Sequence, residues 1–358
     1  MIFIILMIKL IDKFKIIKSD ISHIVKYRIG FIKYKKILWG RSPYLEYGPG
    51  IRTLRIKKYL DNEFFDKNLV YIQSHWPWYE IILYTLTAKL FRIKIIFNQN
   101  GIYYKDYKSN FLFLNNILLF GILLSDHVIY QSNFCYESIS KISINPIKKI
   151  LKYKKYSILL NPTIEKETKN AFLESNKHTI LICNSFSKDR LYYSKYIYNL
   201  ILKIYKNQRV DKIVVIGNFL NNLKLSEINN LFKVKKLKIV KEINNAEVLN
   251  LISQCTFIVH LNYGDPCPNF ISEAISYNKP TILNEVGGAR EIALDSCIIP
   301  KNNIIYYGYK MPTIKDSITS INQMICNYDE YKKATEIRKN ELNINNYIIS
   351  HKKIIKDL

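Results

Sequence analysis

Glycine and proline are both scarce in this chain, at 11 and 10 among 358 residues. Neither a collagen-like repeat nor a Pro/Gly-rich disordered tract is compatible with so few. The six cysteines, at 135, 183, 255, 267, 297 and 326, include no Cys-x-x-Cys pair and no dense spacing. A disulfide scaffold is thereby excluded, and a reduced cytosolic protein is expected. No Asp-x-Asp and no His/Cys cluster at metal-ligand spacing occurs, so no metal site is expected. Arginine-rich tails, paired-cysteine fingers and RNP-like stretches are also missing, which argues against specific nucleic-acid binding. Long apolar runs are absent at the N-terminus: the first ends at Lys9, too short to span a bilayer, and no small-residue cleavage signal follows.

What is present is positive charge and ample apolar content. Lys+Arg number 54 against 29 Asp+Glu, a formal charge of +25, and 48% of residues are hydrophobic. The length suggests two domains, each with a real core. A positive surface suits an anionic membrane or a phosphorylated substrate. Residues 1–35 interleave lysine with Ile, Phe and Leu. Such a segment either lies on anionic lipid as a basic amphipathic element or docks as a terminal helix on the protein itself.

Beyond residue 36 an α/β rhythm sets in. Apolar strands are expected at 36–39, 68–74, 92–100, 127–132 and 156–161, with helical patterns over 51–60, 78–91 and the stretches between later strands. The polar segment 162–177 reads as a junction. The rhythm restarts with HTILICNS, KIVVIGNF, KLKIVKEI, FIVHLN and TILNE as strands, alternating with helices. Apolar strands separated by helices indicate parallel sheets covered on both faces. Two such runs predict two Rossmann-like, doubly wound domains facing each other across a cleft. The divisions expected are 1–35, 36–165, 175–325 and a helical tail, 326–358, returning to the first domain.

The span DPCPNFISEAISYNKPTILNEVGG, residues 265–288, concentrates the chemistry. Asp265 follows a strand end, where parallel sheets bind ligands. Seven residues later, Glu273 should lie about one turn inside the next helix. Pro268-Asn269 forms a suitable helix entry, whose free N–H groups and partial positive charge suit a diphosphate. Gly287 and Gly288 before Ala289 offer a second anion-friendly opening. The two carboxylates could then accept hydroxyl hydrogen bonds from a sugar and a ribose. Their bland alternatives are a helix cap for Asp265 and a surface lysine partner for Glu273.

In order and spacing this span resembles the nucleotide-sugar signature of the retaining family 4 glycosyltransferases of the GT-B fold. The matching residues are Asp265, Glu273, Lys279-Pro280, Gly287-Gly288 and Glu291. Aspartate stands here where the family has glutamate, shortening the reach by about one methylene. GIYYKDY, DHVIYQSNFCYESI and ILLNPT resemble the family's first domain, and SPYLEYGPGIRT its glycine loop, so that the resemblance covers about residues 36–320.

The resemblance implies a GT-B architecture with an N-terminal acceptor-side domain and a C-terminal domain that binds the nucleotide-sugar. It implies that Gly48, Gly50 and Arg52 face the donor phosphates, and that Lys188 or Arg190, after the first strand of the second domain, touches them. Asn269, Gly287, Gly288 and Glu291 join Glu273 on the donor, and Asp265 meets the donor sugar. His75 corresponds to a first-domain histidine near donor sugar or acceptor, with Asn100 and Gly101 beside it. His260 is either a satisfied core histidine or the support of the carboxylate loop.

The chemistry implied is retaining transfer by front-face substitution, independent of metal and of any cofactor. The donor is a nucleotide-sugar and the acceptor a glycan or lipid-linked molecule, in cell-surface polysaccharide or glycoconjugate synthesis. The location expected is the cytoplasm, or the inner membrane face as a peripheral protein. Two alternatives remain open at this stage. One keeps the fold as a nucleotide-sugar 2-epimerase or other GT-B enzyme; the other is a non-catalytic basic protein binding the envelope or nucleic acid.

Overall fold

The computed structural model describes residues 18–22, 37–39, 53, 56–57, 59–61, 68–104, 109–164, 177–183, 191–217, 220, 223–241, 244–301, 303–306 and 309–358. Gly48, Gly50, Arg52, Lys188, Arg190 and most of residues 1–35 lie outside this set. The chain divides into two compact units, residues 1–160 with 345–358, and residues 161–344.

The first unit contains β1 (Ile37–Leu38), β2 (Leu69–Gln73), α1 (Trp78–Leu90), β3 (Lys94–Gln99), α2 (Phe111–Leu124), β4 (His127–Tyr130), α3 (Asn133–Ile142), α4 (Asn145–Tyr153) and β5 (Tyr156–Ile158). Its strands pair in parallel in the order β1-β2-β3-β4-β5. Since right-handed crossovers are the rule, successive helices in a sheet ordered this way cover the same face. Val70, Ile72, Ile95, Phe97, Val128 and Tyr130 form one core with residues of α1, α2 and α3. Arg92 adopts φ 54°, a tight left-handed turn that returns the chain from α1 into β3. At the other end of the next crossover, Ser132 Oγ caps α3 by accepting from the Cys135 N–H at 3.2 Å.

Within α2, Gly121 lies against the Phe97 ring, where an added Cβ would sit 2.3 Å from Phe97 Cε2. Gly121→Ala is therefore expected to destabilise the protein by about 1–3 kcal/mol, the usual range for overpacking, as read from urea unfolding.

The opposite face of this sheet carries polar side chains. Asn98 Nδ2 donates to Tyr71 Oη at 2.7 Å, and Gln131 Nε2 donates to Asn98 Oδ1 at 2.9 Å. His351 reaches the same cluster, its Nε2 standing 3.0 Å from Tyr71 Oη. All four side chains are buried. Mutual hydrogen bonding is what makes that burial tolerable.

The second unit contains β6 (His178–Cys183), α5 (Leu191–Ile204), β7 (Val210–Ile216), α6 (Leu225–Phe232), β8 (Leu237–Val240), α7 (Asn245–Gln254), β9 (Phe257–His260), α8 (Asn269–Ser276), β10 (Thr281–Leu283), α9 (Ala289–Ala293) and β11 (Cys297–Ile298). A β12 (Asn303–Tyr306), β13 (Tyr309–Pro312) hairpin follows, then α10 (Ile314–Cys326), α11 (Tyr328–Glu341) and α12 (Ile344–Lys356). Residues 345–358, most of α12, are grouped with the first unit, while α11 stays with the second.

Strands β6 to β11 form a parallel sheet in the order β11-β10-β9-β6-β7-β8. Counted from β6, that is 3-2-1-4-5-6 read from the β8 edge, the order of a dinucleotide-binding sheet. Ile180, Ile182, Ile213, Val215, Phe257 and Val259 pack on one face, against α5 and α10. Leu181, Val214 and Ile258 pack on the other, against α7 and α8. The chain order reverses direction between β6 and β9, and ligands of open α/β sheets bind outside the strand ends at such a reversal.

Candidate functional site

That reversal is occupied by the acidic loop. β6 ends at Cys183 and β9 at His260, and His260 Nδ1 lies 2.8 Å from the Cys183 carbonyl oxygen. A carbonyl only accepts, so Nδ1 carries the proton and Nε2 faces the other way. There Asn262 Nδ2 stands at 3.4 Å and Asp265 Oδ2 at 3.5 Å. His260 thus links the end of β6 to the acidic loop, the second of the two roles its sequence position allowed.

Asp265 is half-exposed, whereas Glu273 on α8 is only 4% exposed. Glu273 Oε1 accepts a long hydrogen bond, 3.5 Å, from Asn245 Nδ2 at the start of α7. Burial pushes the Cys183 thiol up to about 12, with the negative charges of Glu273 and then Asp265 adding to the effect. The residue capping α8 is Pro268, not Asp265, and Glu273 is no solvated surface charge.

Backbone pairing fixes the acidic loop. Gly264 N–H donates to the Val286 carbonyl at 3.0 Å, Asp265 bridges Gly287, and Gly288 N–H donates to the Asp265 carbonyl at 2.8 Å. Gly287 has φ 136°, and an added Cβ would lie 2.7 Å from Asp265 O. The close approach that Gly287 permits is therefore to the Asp265 backbone. The Gly288 amide is likewise engaged with Asp265, at the start of the five-residue α9, so this turn also supports the acidic loop. Glu291 stands on α9, its carbonyl accepting from Arg338 Nη2 at 2.7 Å.

Asn269 is the first residue of α8 and is held from a distance. Asn161 Nδ2 donates to Asn269 Oδ1 and to the Cys267 carbonyl, each at 2.7 Å. Asn284, just past β10, donates to the carbonyls of Leu261 at 3.2 Å and Lys310 at 3.1 Å, while its Oδ1 accepts from Val286 N–H at 3.0 Å. Asn161, Asn245, Asn262 and Asn284 thus shape the site, and apart from Asn161 within ILLNPT none stood out in the sequence. Their only signal is asparagine at element ends, which is common everywhere.

In the first unit His75, Asn100 and Gly101 come together beyond the ends of β2 and β3. Asn100 N–H donates to Ser74 Oγ at 2.8 Å, and Asn100 Nδ2 lies 3.4 Å from His75 Nδ1. Gln131 Nε2 donates to Asn100 Oδ1 at 2.5 Å, joining this group to the polar cluster behind the sheet. Gly101 has φ 125°, which a side chain would oppose. Among the described residues, no group of three or more His, Cys, Asp or Glu is arranged to hold a metal ion, and no helix is long and apolar enough to cross a membrane.

No protein-family model matches the chain, and no curated protein matches it. Solved structures do. Anabaena HepE in complex with UDP aligns over 85% of this chain and 82% of its own, with TM-score 0.59 and 12% identity. Sucrose-phosphate synthase from Thermosynechococcus elongatus aligns over 87% and 80%, with TM-score 0.61 and 10% identity. A glycosyltransferase from Rickettsia africae aligns over 87% and 83%, with TM-score 0.55 and 18% identity. These matches show the fold: two Rossmann-like α/β domains of the GT-B type, as the sequence led us to expect.

Proposed function

We propose that the chain is a glycosyltransferase that moves a sugar from a nucleotide-sugar to a glycan or lipid-linked acceptor, with retention, without metal, and as a member of family 4. One observation carries it: at the reversal of a 3-2-1-4-5-6 sheet, His260 ties the Asp265 loop to the end of β6, and the α8 helix that opens after this loop carries the buried Glu273. There the α8 amides would meet the diphosphate, Glu273 the ribose and Asp265 the transferred sugar. Lys188 and Arg190 would supply cations from the loop after β6, joined by Gly48 and Gly50 of the glycine loop. His75, Asn100 and Gly101 would face the acceptor.

In the reaction the anomeric C–O bond to phosphate breaks while the acceptor oxygen bonds to the same carbon on the same face. The acceptor hydroxyl proton passes to the departing phosphate oxygen, so no protein nucleophile is needed. Negative charge on the leaving diphosphate is larger in the transition state than in the ground state. Fixed amides and cations aimed at it therefore lower the barrier. Asp265 is unsuited to the nucleophile role of a glycoside hydrolase, which sets two opposed carboxylates across one bond.

The test is turnover against UDP-, GDP-, ADP- and CMP-sugars, with UDP-glucose first because UDP occupies the Anabaena structure. Transfer from one nucleotide class to a second molecule is expected. An isomerised sugar would identify an epimerase instead, and no affinity for any nucleotide-sugar would remove the enzyme assignment. Synthesis of cell-surface glycans, on the cytoplasmic side of the membrane, is the setting we infer for it.

A further inference from the structure

The outer face of α1 and α2 is apolar to a degree that a solvated surface rarely shows. Trp78, Leu83, Leu86 and Leu90 are exposed on α1, Leu90 to 77%, and Leu112 and Phe113 are exposed on α2. Leu83, Leu86 and Leu90 fall at helical spacing on one side. Trp78 meets Phe113 edge-on with ring centroids 5.6 Å apart, so the two helices share one surface. Over its 14 residues α2 has no charged side chain, and the one acid of α1, Glu80, is turned fully inside.

Charge appears at one end of this face and is mostly positive. Lys89, Arg92 and Lys94 are all exposed there. Among the described residues Asp126 balances them, lying 3.2 Å from Lys89 and 3.7 Å from Lys94. A contiguous apolar patch with a tryptophan and a basic margin has the chemistry of an interfacial membrane contact. A second copy of the chain fits less well, because a formal charge of +25 on each copy opposes self-association.

We propose that the α1–α2 face is a docking surface for an anionic lipid bilayer, with Trp78 and the leucines seated among the acyl chains and the basic margin on the headgroups. The inference is independent of the reaction assigned above. It also differs from membrane contact through residues 1–35, which contain no tryptophan.

Of the three tryptophans, Trp39 and Trp76 are buried at 4% and 2% exposure and Trp78 is exposed at 45%, so Trp78 reports on this face alone. The full chain is mixed with phosphatidylcholine vesicles, with or without phosphatidylglycerol and with plain or brominated acyl chains. Co-sedimentation with the anionic vesicles is expected, with emission quenched by brominated chains in the native protein and not in Trp78→Phe. The double variant Leu86→Glu, Leu90→Glu should bind those vesicles at least about tenfold more weakly, with unchanged circular dichroism and nucleotide-sugar affinity. Sedimentation without quenching would show that another segment makes the contact and overturn the proposal. So would equal binding to uncharged vesicles, no binding to either, or a vesicle-free dimer in which Trp78 is already shielded from a soluble quencher.

Discussion

Gly287→Ala is expected to reduce sugar transfer by about 10²-fold or more, measured as steady-state turnover with the best donor of the panel. The residue sits at φ 136°, and a Cβ there meets the Asp265 carbonyl oxygen at 2.7 Å. The obstacle is backbone, which cannot rotate aside as a side chain can. Either the bridge between Asp265 and Gly287 opens or the 286–288 turn refolds, and in both cases the Asp265 carboxylate leaves its place beside His260. A displacement of about 1 Å at a reacting centre is enough for such a loss. The core of the second unit lies beneath this turn, so circular dichroism should remain that of a folded protein. Transfer at the native rate would show that the position of Asp265 does not matter to the reaction.

Glu273→Ala is expected to weaken binding of both nucleotide-sugar and free nucleotide by about 10- to 100-fold, as read by calorimetry. A hydrogen bond to a charged partner contributes about 1.5–3 kcal/mol, which sets that range. Because Glu273 is buried, its loss also leaves Asn245 Nδ2 without this acceptor. Asp265→Asn should act differently, lowering transfer while free-nucleotide affinity stays near native, since its proposed contact is with the sugar. An equal loss of free-nucleotide affinity in both variants would contradict that division of roles.

The α/β alternation was legible because apolar strands such as KIVVIGNF and FIVHLN are buried on both faces and carry no polar period; they fold as β7 and β9. Elements without that signature escaped. The helix α4, NPIKKILKY, is nine residues long with only Leu151 fully buried, and the β12–β13 hairpin has strands of four. The apolar run 156–161 promised a longer strand than β5, which stops at Ile158 once its pairing with Tyr130 ends.

The local part of the candidate site could be read for the same reason: Asp265, Asn269, Glu273 and Gly287 lie within one βαβ crossover, so their spacing fixes their relation. The pairing of Gly287-Gly288 with the Asp265 backbone could not be read, because a glycine's freedom says nothing of what it approaches. Asn161 lies 108 residues from its partner Asn269, and the His260–Cys183 link spans 77. Strand order decides such contacts, and strand order leaves no trace in periodicity.

Hydrogen exchange with and without the best donor reports where the ligand sits in the intact chain. Slowed exchange is expected in residues 261–273, through the acidic loop and the first turn of α8, and in the 284–291 turn that supports it. Tight binding of the donor with no added protection in either stretch would contradict the account.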